Sequence, residues 1–146
     1  MTPAGYSGTP LPRKLGIKEG STLALLGAPD GLAALLEPLP AGVLLRRSTR
    51  GTADVILLFT TSRDDLARRL PAAQRALHPD GGLWVAWPKK ASGVATDLTE
   101  NVVRELGLAA GLVDNKVCAI DETWSGLRLV FRRENRDAVR AGRRAV

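Results

Sequence analysis

The chain has almost none of the side chains from which covalent or metal chemistry is usually built. Its 146 residues include one cysteine, Cys118, and one histidine, His78. A lone cysteine cannot form a disulfide within the chain, and one of each offers no cluster with zinc-ligand spacing. No metal is therefore expected, and no catalytic residue is assigned. Aromatic residues make up only 4%, too few for an obvious base-stacking platform. No apolar run approaches the roughly 18 residues of a membrane span, and the opening MTPAGYSGTPLPRK lacks the apolar core of a secretion signal. These absences point to a cytoplasmic protein in a reducing compartment, without membrane association.

What is present is apolar content and positive charge. At 45% hydrophobic residues, the chain suits one domain that buries about two thirds of its unfolded surface. The formal net charge is +6. Arg132, Arg133, Arg136, Arg140, Arg143 and Arg144 against Glu134 and Asp137 put +4 of it in the last fifteen residues. Val139 and Val146 are the only larger apolar residues there, so residues 134–146 read as a basic tail, a frayed helix or solvated segment. At the other end, Pro3, Pro10 and Pro12 among Gly5, Gly8, Gly16 and Gly20 suit an extended arm over residues 1–14, with Leu15 and Ile17 docking on the core.

Between these ends, residues 15–133 read as an alternating domain. Ser21–Ala28 and Asp54–Thr60 are continuous apolar runs, as expected of strands buried on both faces of a parallel sheet. Asp30 is placed to cap a helix carrying Leu32, Leu35, Leu36 and Leu39 on one face. Val43–Arg46 reads as a short strand. Ser62 and Asp65 form a capping pair for a helix with Leu66, Leu70, Ala73 and Leu77 on its core stripe, which Pro71 should kink or divide. His78–Gly82 is turn chemistry before a strand over Leu83–Trp87. Asp97 and Glu100 suggest a cap for a helix bearing Leu98, Val102 and Leu106. The period then becomes alternating, and Val113–Ile120 and Leu127–Arg132 predict an antiparallel hairpin. The fold class is α/β: a three-layer, mostly parallel Rossmann-like sheet ending in an antiparallel hairpin.

Three passages resemble class I methyltransferases: LGIKEGSTLALLGAPDG, DVILLFT with its helix into LHPDGGLWVAWPK, and GLVDNKVCAIDETWSGLRLVFRR. Together they span most of residues 15–133. With YSGTPLPRKLGIKEG and WPKKASGVATDLTE, the chain is more closely similar to a family of small bacterial proteins known only as a domain of unknown function. The methyltransferase resemblance implies a truncated domain of that fold and S-adenosylmethionine as cofactor. The sequence departs from that pattern where the cofactor is normally held. No acid stands in the first strand, the turn is Gly27-Ala28-Pro29-Asp30-Gly31, and the second strand ends in Arg46 and Arg47 where ribose hydroxyls would meet an acid.

Ligands of open α/β sheets bind beyond the carboxyl ends of the strands. That edge gathers the candidate binding residues Gly27, Asp30, Gly31, Arg46, Thr61, Trp87, Lys89, Lys90 and Ser92. Lys89, Lys90 and Ser92 suit an anion through ammonium groups and backbone donors. Alternation puts Trp84 and Trp87 on opposite faces of one strand, one under a helix and the other bordering the site. Trp124 falls in a turn, His78 reads as structural, and Cys118 as a small buried hydrophobe. The leading expectation is a non-catalytic domain that binds an anionic small molecule or a protein partner. The alternatives are an S-adenosylmethionine-dependent methyltransferase with an atypical cofactor turn, and a nucleic-acid-binding module using the C-terminal arginines with Lys89 and Lys90.

Overall fold

The computed structural model describes residues 9–144. The first eight residues of the expected arm, and Ala145 and Val146 of the expected tail, lie outside the described residues. The elements follow the order α1 (Leu11–Lys14), β1 (Thr22–Leu26), α2 (Leu32–Leu35), β2 (Leu44–Arg46), β3 (Ala53–Phe59), α3 (Arg63–Ala76), β4 (Leu77–Pro88), α4 (Glu100–Ala109), β5 (Leu112–Ala119), β6 (Trp124–Phe131) and α5 (Arg133–Arg144). A single 3-10 turn, Lys90–Ser92, lies between β4 and α4.

The six strands form one sheet in the order β2-β1-β3-β4-β6-β5. β1 pairs in parallel with β2 and β3, and β3 in parallel with β4. β6 runs antiparallel to β5, as the short 120–123 connection requires, and also antiparallel to β4. The apolar runs become the central strands because both sheet faces are covered. One face carries Ile56, Leu58, Val85, Trp87, Leu127 and Leu129 against Leu66 and Leu70 of α3 and Val103 of α4. The other carries Leu23, Leu25, Leu57 and Trp84 against Leu15, Ile17, Leu32 and Leu36. Each fully buried leucine contributes about 1.5–3 kcal/mol by leaving water, so a strand with four in succession has no alternative solvent-facing register.

Several local expectations are corrected. Residues 11–14 form a short helix instead of extended chain, with Pro12 buried and Leu11 packed on the core. Asp30 does not cap α2; its N-cap is Gly31, in the left-handed region at φ 85°, and the helix is only four residues long. Leu35 therefore turns outward, 47% exposed. Pro71 does not divide α3, which continues through it. The turn residues 78–81 are absorbed into β4: Leu77 pairs with Ala53 and Gly82 with Val55, so the intervening residues bulge from the ladder. Asp97 does not cap α4. Thr99 does, accepting from the Val102 amide at 3.2 Å, while Asp97 accepts from the Arg63 amide at 2.8 Å.

The expected basic tail is the helix α5 as far as it is described. It holds because its arginines find acceptors on the domain. Val139 packs on the core, Arg140 pairs with Asp80, and Arg143 donates to the carbonyls of Leu77 and Gln74. The Arg143 guanidinium also lies over the Phe131 ring, 5.9 Å from its centre. Among the described residues, no helix is long and apolar enough to cross a membrane.

Candidate functional site

The strand order reverses beside β1, with β2 on one flank and β3 on the other. The crevice beyond the carboxyl ends of β1 and β3 is the usual ligand position in such sheets. β1 ends there at Leu26, and the chain turns at Gly27 with φ 66°, a backbone setting that favours glycine. The space beside this glycine is taken. A Cβ on Gly27 would stand 2.8 Å from the Phe59 carbonyl oxygen and 3.0 Å from Nη1 of Arg69.

Arg69 reaches this position from α3, and a short network holds it. Its Nη1 donates to the Phe59 carbonyl at 3.3 Å and to Asp65 Oδ2 at 3.4 Å. Thr60 Oγ1 donates to the same carboxylate oxygen at 2.7 Å, and Arg68 pairs with the other oxygen. The Thr60 hydroxyl, then Arg69 and Arg68, hold the Asp65 carboxyl below its ordinary pKa. Ser62 caps α3 as expected, accepting from the Asp65 amide at 3.0 Å. Asp65 does not complete the reciprocal box. The Ser62 amide donates to Thr60 Oγ1 at 3.3 Å instead, so Thr60 links the strand end to the helix start. Sequence reasoning missed Arg69. The signal available was its place four residues after Asp65, on the same helical face.

The nominated residues separate into groups. Gly27, Thr61 and Lys89 follow the ends of β1, β3 and β4 at the carboxyl edge, and Asp30 and Gly31 are exposed in the turn before α2. Arg46 is not aimed at the crevice; it donates to the Arg50 carbonyl at 2.9 Å and folds over its own loop. Trp87 does not border an open site. It is buried among the residues under α3 and α4, while Trp84 is buried on the opposite face. The alternation is as expected, and both rings are core. Ser92 is engaged locally: its hydroxyl donates to the Lys89 carbonyl at 2.7 Å and accepts from the Val94 amide at 3.2 Å. Thr61 contributes its carbonyl, which accepts from Thr96 Oγ1 at 2.6 Å and ties down the loop before α4. The free N-terminus expected beside Lys89 and Lys90 is not there, because Thr99 caps α4 farther along.

An opening at this edge lies instead behind the β5–β6 turn. It is a cleft of about 690 Å³ between the α1 segment, the end of α2 and residues 119–123. Leu11, Pro12, Leu35, Pro38 and Ile120 make it largely apolar, with Lys14, Glu37 and Glu122 also lining it. Asp121 is committed to the turn, its Oδ1 accepting from the amides of Thr123 and Trp124. Trp124 anchors the hairpin by meeting Phe59 edge-on, with ring centres 5.1 Å apart.

The residues at the crevice do not fit S-adenosylmethionine as the fold usually holds it. The glycine turn is occupied by Arg69, and the end of β2 carries a self-engaged arginine in place of an acid.

Comparison with known proteins agrees with the fold. A family model described as "Protein of unknown function (DUF3052)" matches residues 14–133. No curated protein matches the sequence. Among solved structures, a putative type 11 methyltransferase from Sulfolobus solfataricus is similar with a TM-score of 0.60 at 14% identity, covering 84% of this chain and 89% of that one. A SAM-dependent methyltransferase from Aquifex aeolicus gives 0.56 at 15% identity, covering 80% and 85%. The mitomycin 7-O-methyltransferase MmcR gives 0.55 at 16% identity, covering 77% of this chain and 49% of its own, so this chain spans about half its length. Identities this low establish a methyltransferase-like Rossmann fold and nothing finer.

Proposed function

The chain belongs to the DUF3052 family, whose function is unknown, and we propose that it is a non-catalytic methyltransferase-like domain that binds a protein partner instead of S-adenosylmethionine. The observation that carries this reading is Arg69 beside Gly27. A guanidinium held by a carboxylate and a strand-end carbonyl stands at the turn where the cofactor would approach. Admitting the cofactor there would require Arg69 to swing aside and give up its bond to the Phe59 carbonyl. The apolar cleft behind the β5–β6 turn is the surface we assign to the partner. Exposed Glu37 and Glu122 line it, which suits a partner segment with apolar side chains flanked by lysine or arginine.

Two measurements test this reading. Calorimetry with S-adenosylmethionine is expected to give no heat; micromolar binding by the unaltered protein would overturn the non-catalytic assignment. Affinity purification from cells of the source organism, run in parallel with Leu35→Glu, is expected to lose a specific protein with that change. Identical recoveries would remove the cleft as the partner surface.

A further inference from the structure

We infer that the opposite, amino-terminal edge of the sheet carries a separate site, a groove that takes the phosphate group of a small organic phosphate. It has a volume of about 500 Å³ and lies where the β2–β3 connection passes the end of α3 and the end of α5. Arg75 comes from α3, Arg143 from α5, and Thr49 and Thr52 from the connection. Gly51, Gly142 and two alanines of α3 complete the lining, and among the described residues none that lines it is acidic.

Each polar group has donor capacity to spare. Among the described residues, Arg75 and the hydroxyls of Thr49 and Thr52 form no hydrogen bond or ion pair. Among the described residues, Arg143 is held by neutral acceptors, the carbonyls of Leu77 and Gln74, and by the Phe131 ring. Burial pushes its guanidinium below the ordinary pKa. The same contacts cover the carbonyls at the end of α3, which would otherwise repel an anion. They also fix the guanidinium, so an arriving anion spends little entropy ordering it.

Two guanidinium groups with two hydroxyls form a donor set for the several oxygens of a phosphate. The volume lies in the range of small-molecule sites. A polynucleotide is less well served. Arg140, the preceding arginine of α5, is paired with Asp80 and Asp137. Lys89 and Lys90 lie at the other end of β4, roughly 20 Å or more away along the strand, so the basic groups do not form one track.

Calorimetry and amide NMR at low salt, with inorganic pyrophosphate, adenosine monophosphate and a thymidine oligonucleotide as probes, test the inference. Binding of a small phosphate with Kd below about 1 mM is expected, weakened about tenfold by Arg75→Ala and left unchanged by Lys90→Ala. Both replaced residues are exposed, so folded variants are expected, and matched thermal melts verify this. Shifts should concentrate at residues 49–52, 72–76 and 142–143. The inference fails if neither small phosphate binds, if Lys90→Ala weakens binding as much as Arg75→Ala, or if shifts centre elsewhere. It also fails if only the oligonucleotide binds, with the steep salt dependence of backbone attraction. The S-adenosylmethionine titration concerns the other edge of the sheet, so its outcome is independent of this one.

Discussion

The indole Nε1 of Trp84 donates to the carbonyl of Leu15 at 3.0 Å, a buried bond between residues 69 positions apart. It fastens the segment before β1 to the middle of a central strand, and both residues are 0% exposed. The ring fills that face while its one polar atom is satisfied, which is the condition for burying tryptophan at little cost.

Trp84→Phe keeps a ring but strands the Leu15 carbonyl away from water. An unsatisfied buried acceptor costs about 1–3 kcal/mol, and the lost volume adds to it. Urea denaturation should show a lower midpoint with little change in slope. An unchanged midpoint would show that the segment before β1 is not fastened through this bond.

Two glycine substitutions should move stability in opposite directions. A Cβ at Gly81 would lie 2.5 Å from the Asp54 carbonyl oxygen, a backbone atom, so Gly81→Ala must shift the β4 bulge. A loss of about 1–3 kcal/mol is expected, as for other overpacked sites. Gly142 in α5 meets nothing within 4 Å, and Gly142→Ala should stabilise by up to about 1 kcal/mol through helix propensity. Thermal melts of the pair provide the comparison.

Asp65 links pH to stability. Its folded pKa is depressed below 3.8, first by the Thr60 hydrogen bond and then by Arg69 and Arg68. A depressed carboxylate contributes stability that is present above its unfolded pKa and lost as pH falls through the folded value. That contribution should therefore be intact above about pH 4 and fade below it. Thr60→Val should raise the Asp65 titration midpoint seen by carboxyl NMR and flatten this part of the acid denaturation curve. An unmoved midpoint would rule out the hydrogen bond as the main cause.

Cys118 is partly buried on β5, and desolvation raises its thiol pKa against the opposing pull of Lys14 and Lys116. Because the thiolate is the nucleophile, its reaction with a disulfide reagent at pH 8 should be slower in the folded protein than in urea. Equal rates would place the thiol in free contact with solvent.

Much of the fold was legible because burial on both faces leaves a plain mark. LALL and VILLF have no polar face, so they had to be central strands, and the alternation of Leu127, Leu129 and Phe131 marked a strand with one face on the core. Boundaries were harder where two local signals competed. His78–Gly82 carries turn residues, yet the chain stays in the sheet by bulging, because Leu77 pairs with Ala53 before the bulge and Gly82 with Val55 after it. Asp30 and Asp97 were both plausible caps, but Gly31 and Thr99 hold the N-cap positions.

At the candidate site, the sequence by itself determined that the usual acids are missing and that Arg46 and Arg47 follow the second strand, since residue identity alone settles which charges exist. Only the tertiary structure decided what stands in their place. Arg69 can reach Gly27 because α3 packs with that side chain over the strand ends. α5 joins the domain because carbonyls of α3 and β4 accept from Arg143, whose partners are 66 and 69 residues away. Long cationic side chains have many rotamers and no periodic signature, so their destinations follow from packing. Strands buried by uniform apolar runs do not depend on that choice, which is why the sheet could be read in one dimension and the occupancy of its edges could not.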